Sequence, residues 1–167
     1  MKRDLGTAAI GGGIGGLLDA LYATLLWGVY FGMGPVKLWQ SVAAGLLGGE
    51  AASAGGNGTA LLGLALHFFI AFCMALAYVL ASKRLPLLTT RPLLMGALYG
   101  VVLYVVMNFV VVPLPAIGWR GPPAPMSALR ALIPHVIFVG PAIALATANA
   151  RRSRATPENA SEAKASL

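Results

Sequence analysis

Charge is the scarcest thing in this sequence. Asp, Glu, Lys and Arg make up 10% of its 167 residues, and only five of them are acidic. A soluble domain carries about 25% charged residues, so this chain has too few to cover a globular surface. Cysteine is nearly absent as well. Cys73 stands alone inside an apolar run, which excludes an intrachain disulfide and any CxxC metal or redox motif. HExxH, GxSxG, P-loop and paired-carboxylate patterns are missing too, and with them the commonest hydrolytic chemistries. His67 with Asp19 is the one acid–base pairing available, and no nucleophile stands out at a matching depth.

What the chain has instead is apolar length. Hydrophobic residues account for 58%, the mean hydropathy is +0.80, and the charges fall in short clusters between long apolar segments. A spanning helix needs about 20 apolar residues to cross a hydrocarbon core of about 30 Å. Four stretches meet that requirement, at 8–32, 59–82, 92–112 and 128–149. The expected fold is therefore an all-α integral membrane protein: a four-transmembrane-helix bundle over residues 1–150, then a small, polar, disordered cytoplasmic tail over 151–167. Pro113, Pro115, Pro122, Pro123 and Pro125 mark the third loop as irregular. Residues 34–58, between the first two spans, read "GPVKLWQSVAAGLLGGEAASAGGNG", and the first half is expected to form an amphipathic helix at the outer interface with Trp39 as its anchor.

The net charge of +7 is a matter of topology, not of nucleic-acid binding, because no basic stripe alternates with aromatics. Nine of the twelve Lys and Arg residues fall on the side that carries both termini and the second loop, and three (Lys37, Arg120 and Arg130) on the other. The positive-inside rule then places both termini in the cytoplasm. Lys2 and Arg3 before an apolar stretch resemble the start of a signal peptide. The stretch is too long for one, holds Asp19 and lacks a small-x-small cleavage site.

"GGGIGG" satisfies GxGxxG through Gly11, Gly13 and Gly16. No strand precedes it and no acidic residue follows at the required distance, so the dinucleotide reading fails. Its Gly12 and Gly16 stand at GxxxG spacing, repeated by Gly28 and Gly32 and by Gly96 and Gly100. Small residues four apart let helix backbones approach closely, within one chain or between copies, so homo-oligomer contacts through these faces are one expectation. The lipid bilayer is the other partner.

Each span carries one conspicuous polar group: Asp19, His67, Asn108 and His135. A charge at mid-membrane costs about 2.5–3.5 kcal/mol on insertion scales, so such groups turn inward and mark candidate ligand or proton sites. The structural alternative is a hydrogen bond across a helix interface, at ~0.6 kcal/mol on average. His67, Met74 and Tyr78 share a helical stripe, as do Gly100, Tyr104 and Asn108. Pro134, beside His135, frees an upstream carbonyl. "ALYATLLW" in span one aligns with "ALYGVVLY" in span three, and "LALH" with "LIPH", suggesting two repeated hairpins about an axis along the membrane normal.

"LWQSVAAGLLGGEAASAGG", "LGLALHFFIAF" and "LYGVVLYVVMNFVVVPL" resemble a group of small four-span bacterial inner-membrane proteins, broadly YagU-like. The resemblance covers about residues 38 to 114 and the "LIPH" start of the last span, and implies a bacterial inner-membrane location. It brings no reaction or ligand. Three functions stay open on the residues: a small oligomeric transporter or channel subunit using the polar cluster, a scaffold or partner subunit, and a haem protein with His67 and His135 as paired axial ligands. The residues leave the cofactor unknown and name no metal site, and an enzyme is the least supported class.

Overall fold

Each long helix starts or stops where local backbone chemistry requires it. Proline occupies the first helical position of α2 (Pro35–Leu47), α6 (Pro92–Val106) and α7 (Pro125–Pro134), where its missing N–H costs nothing. Gly32, Gly34, Gly48 and Gly56 have φ between 57° and 82°, a region closed to most side chains, and they turn the chain on either side of α2 and before α4. The remaining elements are α1 (Lys2–Ala23), α3 (Gly49–Ala54), α4 (Gly56–Ala81), α5 (Leu87–Thr90) and α8 (Gly140–Ala165). This computed structural model describes residues 1–111 and 124–165, with side chains as far as 153.

Among the described residues, four continuous helices are long and apolar enough to cross a membrane: Lys2–Tyr30, Gly56–Ala81, Pro92–Val111 and Pro125–Ser153. The protein is an all-α, multi-pass membrane bundle. The third loop, expected from its prolines to be irregular, lies outside the described residues with Arg120 and every proline except Pro125. The α8 backbone is helical to Ala165, over residues that the sequence suggests as a disordered tail.

The bundle is built small inside and large outside. Its core is Ala8, Ala75, Tyr78, Val79, Leu103, Val139, Ile143 and Ala144. Ile10, Leu17, Leu61, Phe69, Leu98 and Ile137 are exposed. Outward apolar side chains on this scale suit a lipid surround, where helices associate by close backbone approach and not by expelling water. Gly12 lies against the Ala71 carbonyl and Gly16 against Phe68, joining α1 to α4. Gly11 and Gly15 face Ile143 and Val139, where an added Cβ would lie 3.2 Å from the neighbouring backbone, and they join α1 to the fourth span. Gly96 and Gly100 lie on Gly140, Pro141 and the His135 carbonyl. These glycine faces are thus occupied within the chain; Gly28 rests near Pro35, and Gly32 serves a turn.

α1 and α8 pack along each other, α4 flanks α1, and α6 flanks α8. Both hairpins suggested by the internal repeat are present, but the close α1–α8 contact has no equal between α4 and α6, which meet chiefly through Tyr99 on the Met74 carbonyl and the Tyr78 ring. At the end that carries the N-terminus, Lys83 Nζ lies 2.8 Å from the buried Asp4 carboxylate, and Arg151 donates to Ser82 Oγ at 3.2 Å. The opposite half is looser: three π-helical stretches, Thr24–Tyr30, Met107–Val111 and His135–Val139, all occur there.

Candidate functional site

Three of the four polar residues suggested by the sequence meet in that looser half. Asp19, His67 and His135 line one cavity of about 70 Å³, together with Gly16, Ile70, Ala71, Met74, Met107 and Val139. A water needs roughly 10–15 Å³ of such space, so a few waters or one small ion fit.

His67 is fixed by α1. Its Nε2 lies 2.9 Å from the Gly16 carbonyl oxygen. A carbonyl only accepts, so this nitrogen carries the hydrogen and donates. Nδ1 is then left facing Asp19 Oδ2 at 3.9 Å, with the two side chains 17% and 18% exposed. In neutral His67 that nitrogen presents a lone pair to the carboxylate. Two lone pairs face each other across the gap, and the arrangement becomes attractive when a proton or another cation lies between them. Trp39 and Phe68 place ring edges against the imidazole, with centroids 5.4 and 5.3 Å away.

His135 is held within its own helix. Its main-chain N–H goes to Leu132, which leaves the Ala131 carbonyl to accept from His135 Nδ1 at 2.8 Å. His135 Nε2 is therefore the nitrogen with a free lone pair in the neutral ring. Just upstream, Pro134 has no N–H for the Arg130 carbonyl, and the Tyr22 hydroxyl of α1 donates to that oxygen at 3.0 Å. Arg130 also stacks over the Phe31 ring at 4.8 Å, closing the same corner. Tyr22→Phe is expected to strand the freed carbonyl at a cost of about 1–3 kcal/mol. A thermal unfolding midpoint in detergent equal to that of the unsubstituted protein would show that the oxygen has another donor.

The fourth residue does not join. Asn108 donates from Nδ2 to the Tyr104 carbonyl at 2.9 Å on its own helix, and its neighbour Met107 lines the cavity instead. Met107 stands seven residues after Gly100 and within about 20° of it around an α-helix, whereas Asn108 is turned about 80° away. Of the supporting residues, Tyr104 stacks edge-on to His135 at 6.4 Å. Tyr78 is away from the cavity, in the core, donating to the Leu88 carbonyl at 2.8 Å.

Sequence reasoning missed the Gly16 carbonyl, Met107 and the role of α2. α2, the helix expected between the first two spans, docks on α4, with the Trp39 carbonyl over Gly63 and the Trp39 ring on His67. Gln40 ties the segment down through hydrogen bonds from Nε2 to the Gly56 carbonyl at 3.0 Å and the Ser53 carbonyl at 3.4 Å. Gly63 was the available signal, as a gap in an otherwise bulky helical face.

The paired-haem reading does not fit this geometry. A 70 Å³ cavity is several times smaller than the ~300–1,000 Å³ of cofactor-sized sites. Among the described residues no three His, Cys, Asp or Glu side chains come together as a metal-binding set. Comparison of the chain with protein-family models, curated proteins and solved structures gives no match.

Proposed function

We propose that this is a small transporter or channel subunit of a bacterial inner membrane, with both termini cytoplasmic, that carries a proton or small cation through the Asp19–His67–His135 cavity. The observation that carries the reading is the Asp19–His67 pair: a fixed imidazole lone pair facing a carboxylate at 3.9 Å inside a spanning bundle. Such a pair takes up one positive charge and releases it when the gap opens. Intramembrane ionisable residues of this kind mark ion pathways and proton relays.

The inner-membrane location rests on the YagU-like resemblance, and the orientation on the nine-to-three distribution of Lys and Arg. Four spans make a thin wall, so several copies assemble side by side, each with its own cavity. Since the paired glycines are engaged within the chain, the copies meet through outward apolar faces.

The test is flux. The protein reconstituted in liposomes with an internal pH dye is expected to dissipate an imposed pH gradient or cation gradient. Asp19→Asn keeps the shape and removes the charge, and is expected to lower the rate at least ~10-fold, the equivalent of ~1.4 kcal/mol. Unchanged flux in a folded Asp19→Asn protein would sink the mechanism.

A further inference from the structure

We infer that the cavity binds a soft monovalent cation, Cu(I) or its analogue Ag(I), through the Met74 and Met107 sulfurs and the free ring nitrogens of His67 and His135, with Asp19 as counter-charge. The inference rests on the transport reading above and names the ion class that the site takes.

The donor set makes the argument. All five side chains line the same 70 Å³ space, and they come from all four spans. Two thioethers and two imidazoles form a soft, mostly neutral set, the kind that selects Cu(I). Hard cations such as Na⁺, Mg²⁺ or Ca²⁺ require several oxygen ligands, and the lining side chains supply one carboxylate. A single positive ion also matches the single Asp19 carboxylate.

The hydrogen-bonding around the site has the same character. A histidine that ligates a metal nearly always donates its other N–H to a carbonyl or carboxylate, which fixes tautomer and ring orientation. Both histidines do this here, His67 to Gly16 and His135 to Ala131. The Asp19–His67 separation of 3.9 Å is too long for a direct hydrogen bond, and it leaves the carboxylate close enough to balance the charge of an ion held at Nδ1.

The experiment uses the untagged full-length protein in detergent, carrying Cys73→Ser to remove the one exposed thiol. Cu(I) is titrated anaerobically against a chromogenic Cu(I) chelator, and Ag(I) is titrated by calorimetry. One ion per chain is expected. Met74→Leu with Met107→Leu, a volume-conserving change that spares the fold, is expected to weaken binding ~100-fold or more, on the scale of lost metal partners. X-ray absorption of the bound ion is expected to show both sulfur and nitrogen neighbours.

No binding, binding unchanged in the double variant, or nitrogen and oxygen neighbours alone would each overturn the inference. If ion binding fails while Asp19→Asn still abolishes proton flux, the transport reading stands and this inference falls. If the ion binds and the protein moves neither protons nor Ag(I) across liposomes, the site stands and the transport reading falls.

Discussion

Gly100→Ala is expected to destabilise the protein strongly, while Gly13→Ala in the glycine-rich first span stabilises it. A Cβ on Gly100 falls on the His135 carbonyl, which is backbone and cannot swing aside. The α6–α8 contact must open, and overpacking of this kind costs typically 1–3 kcal/mol and occasionally more. A Cβ on Gly13 meets nothing within 4 Å. There only the helix propensity changes, by about 0.5–1 kcal/mol in favour of alanine. Thermal unfolding in detergent, followed by circular dichroism, should separate the two variants with opposite signs. A Gly100→Ala protein as stable as the parent would show that the α6–α8 approach is looser than described. Because the clash is with His135 itself, the same variant is also expected to weaken ion binding at the cavity.

The second large effect is expected at Gly63→Ala, and it is local. The added Cβ collides with the Trp39 carbonyl, so α2 must leave α4. The four spans have their own contacts, through Gly11, Gly12, Gly15, Gly16, Gly96 and Gly100, and remain assembled. Hydrogen exchange is expected to rise across residues 35–54 and stay low in α1 and α8. The loss of cover also removes Trp39 from the His67 ring, so Trp39 should become accessible to a water-soluble quencher. If protection falls everywhere together, α2 is part of the cooperative bundle and not a docked cap.

Much of the fold was legible because its causes are local. Apolar length at Gly56–Ala81 and Pro92–Val111 identifies spans before any contact is known, since bilayer thickness alone sets the requirement. Glycines four apart announce close backbone approach, and Gly12, Gly16, Gly96 and Gly100 all make one. The site was legible in part. Asp19, His67 and His135 stand out because an ionisable group is costly in hydrocarbon and turns inward.

Where those groups point was not local. Asn108 and Met107 are adjacent in the chain, and the packed bundle shows the thioether lining the cavity while the amide binds its own helix. The haem reading required only two histidines at one depth; the space between the helices there is about 70 Å³, smaller than a haem needs. The sequence by itself determined a four-span membrane bundle, its glycine contacts and which residues were too polar to face lipid, because burial cost and helix period act residue by residue. Tertiary structure alone decided that His67 donates to a carbonyl 51 residues away, that α2 closes over it, and that two methionines share its cavity. Those outcomes depend on how four helices rotate against one another, which is fixed by the sum of many weak contacts and not by any one segment.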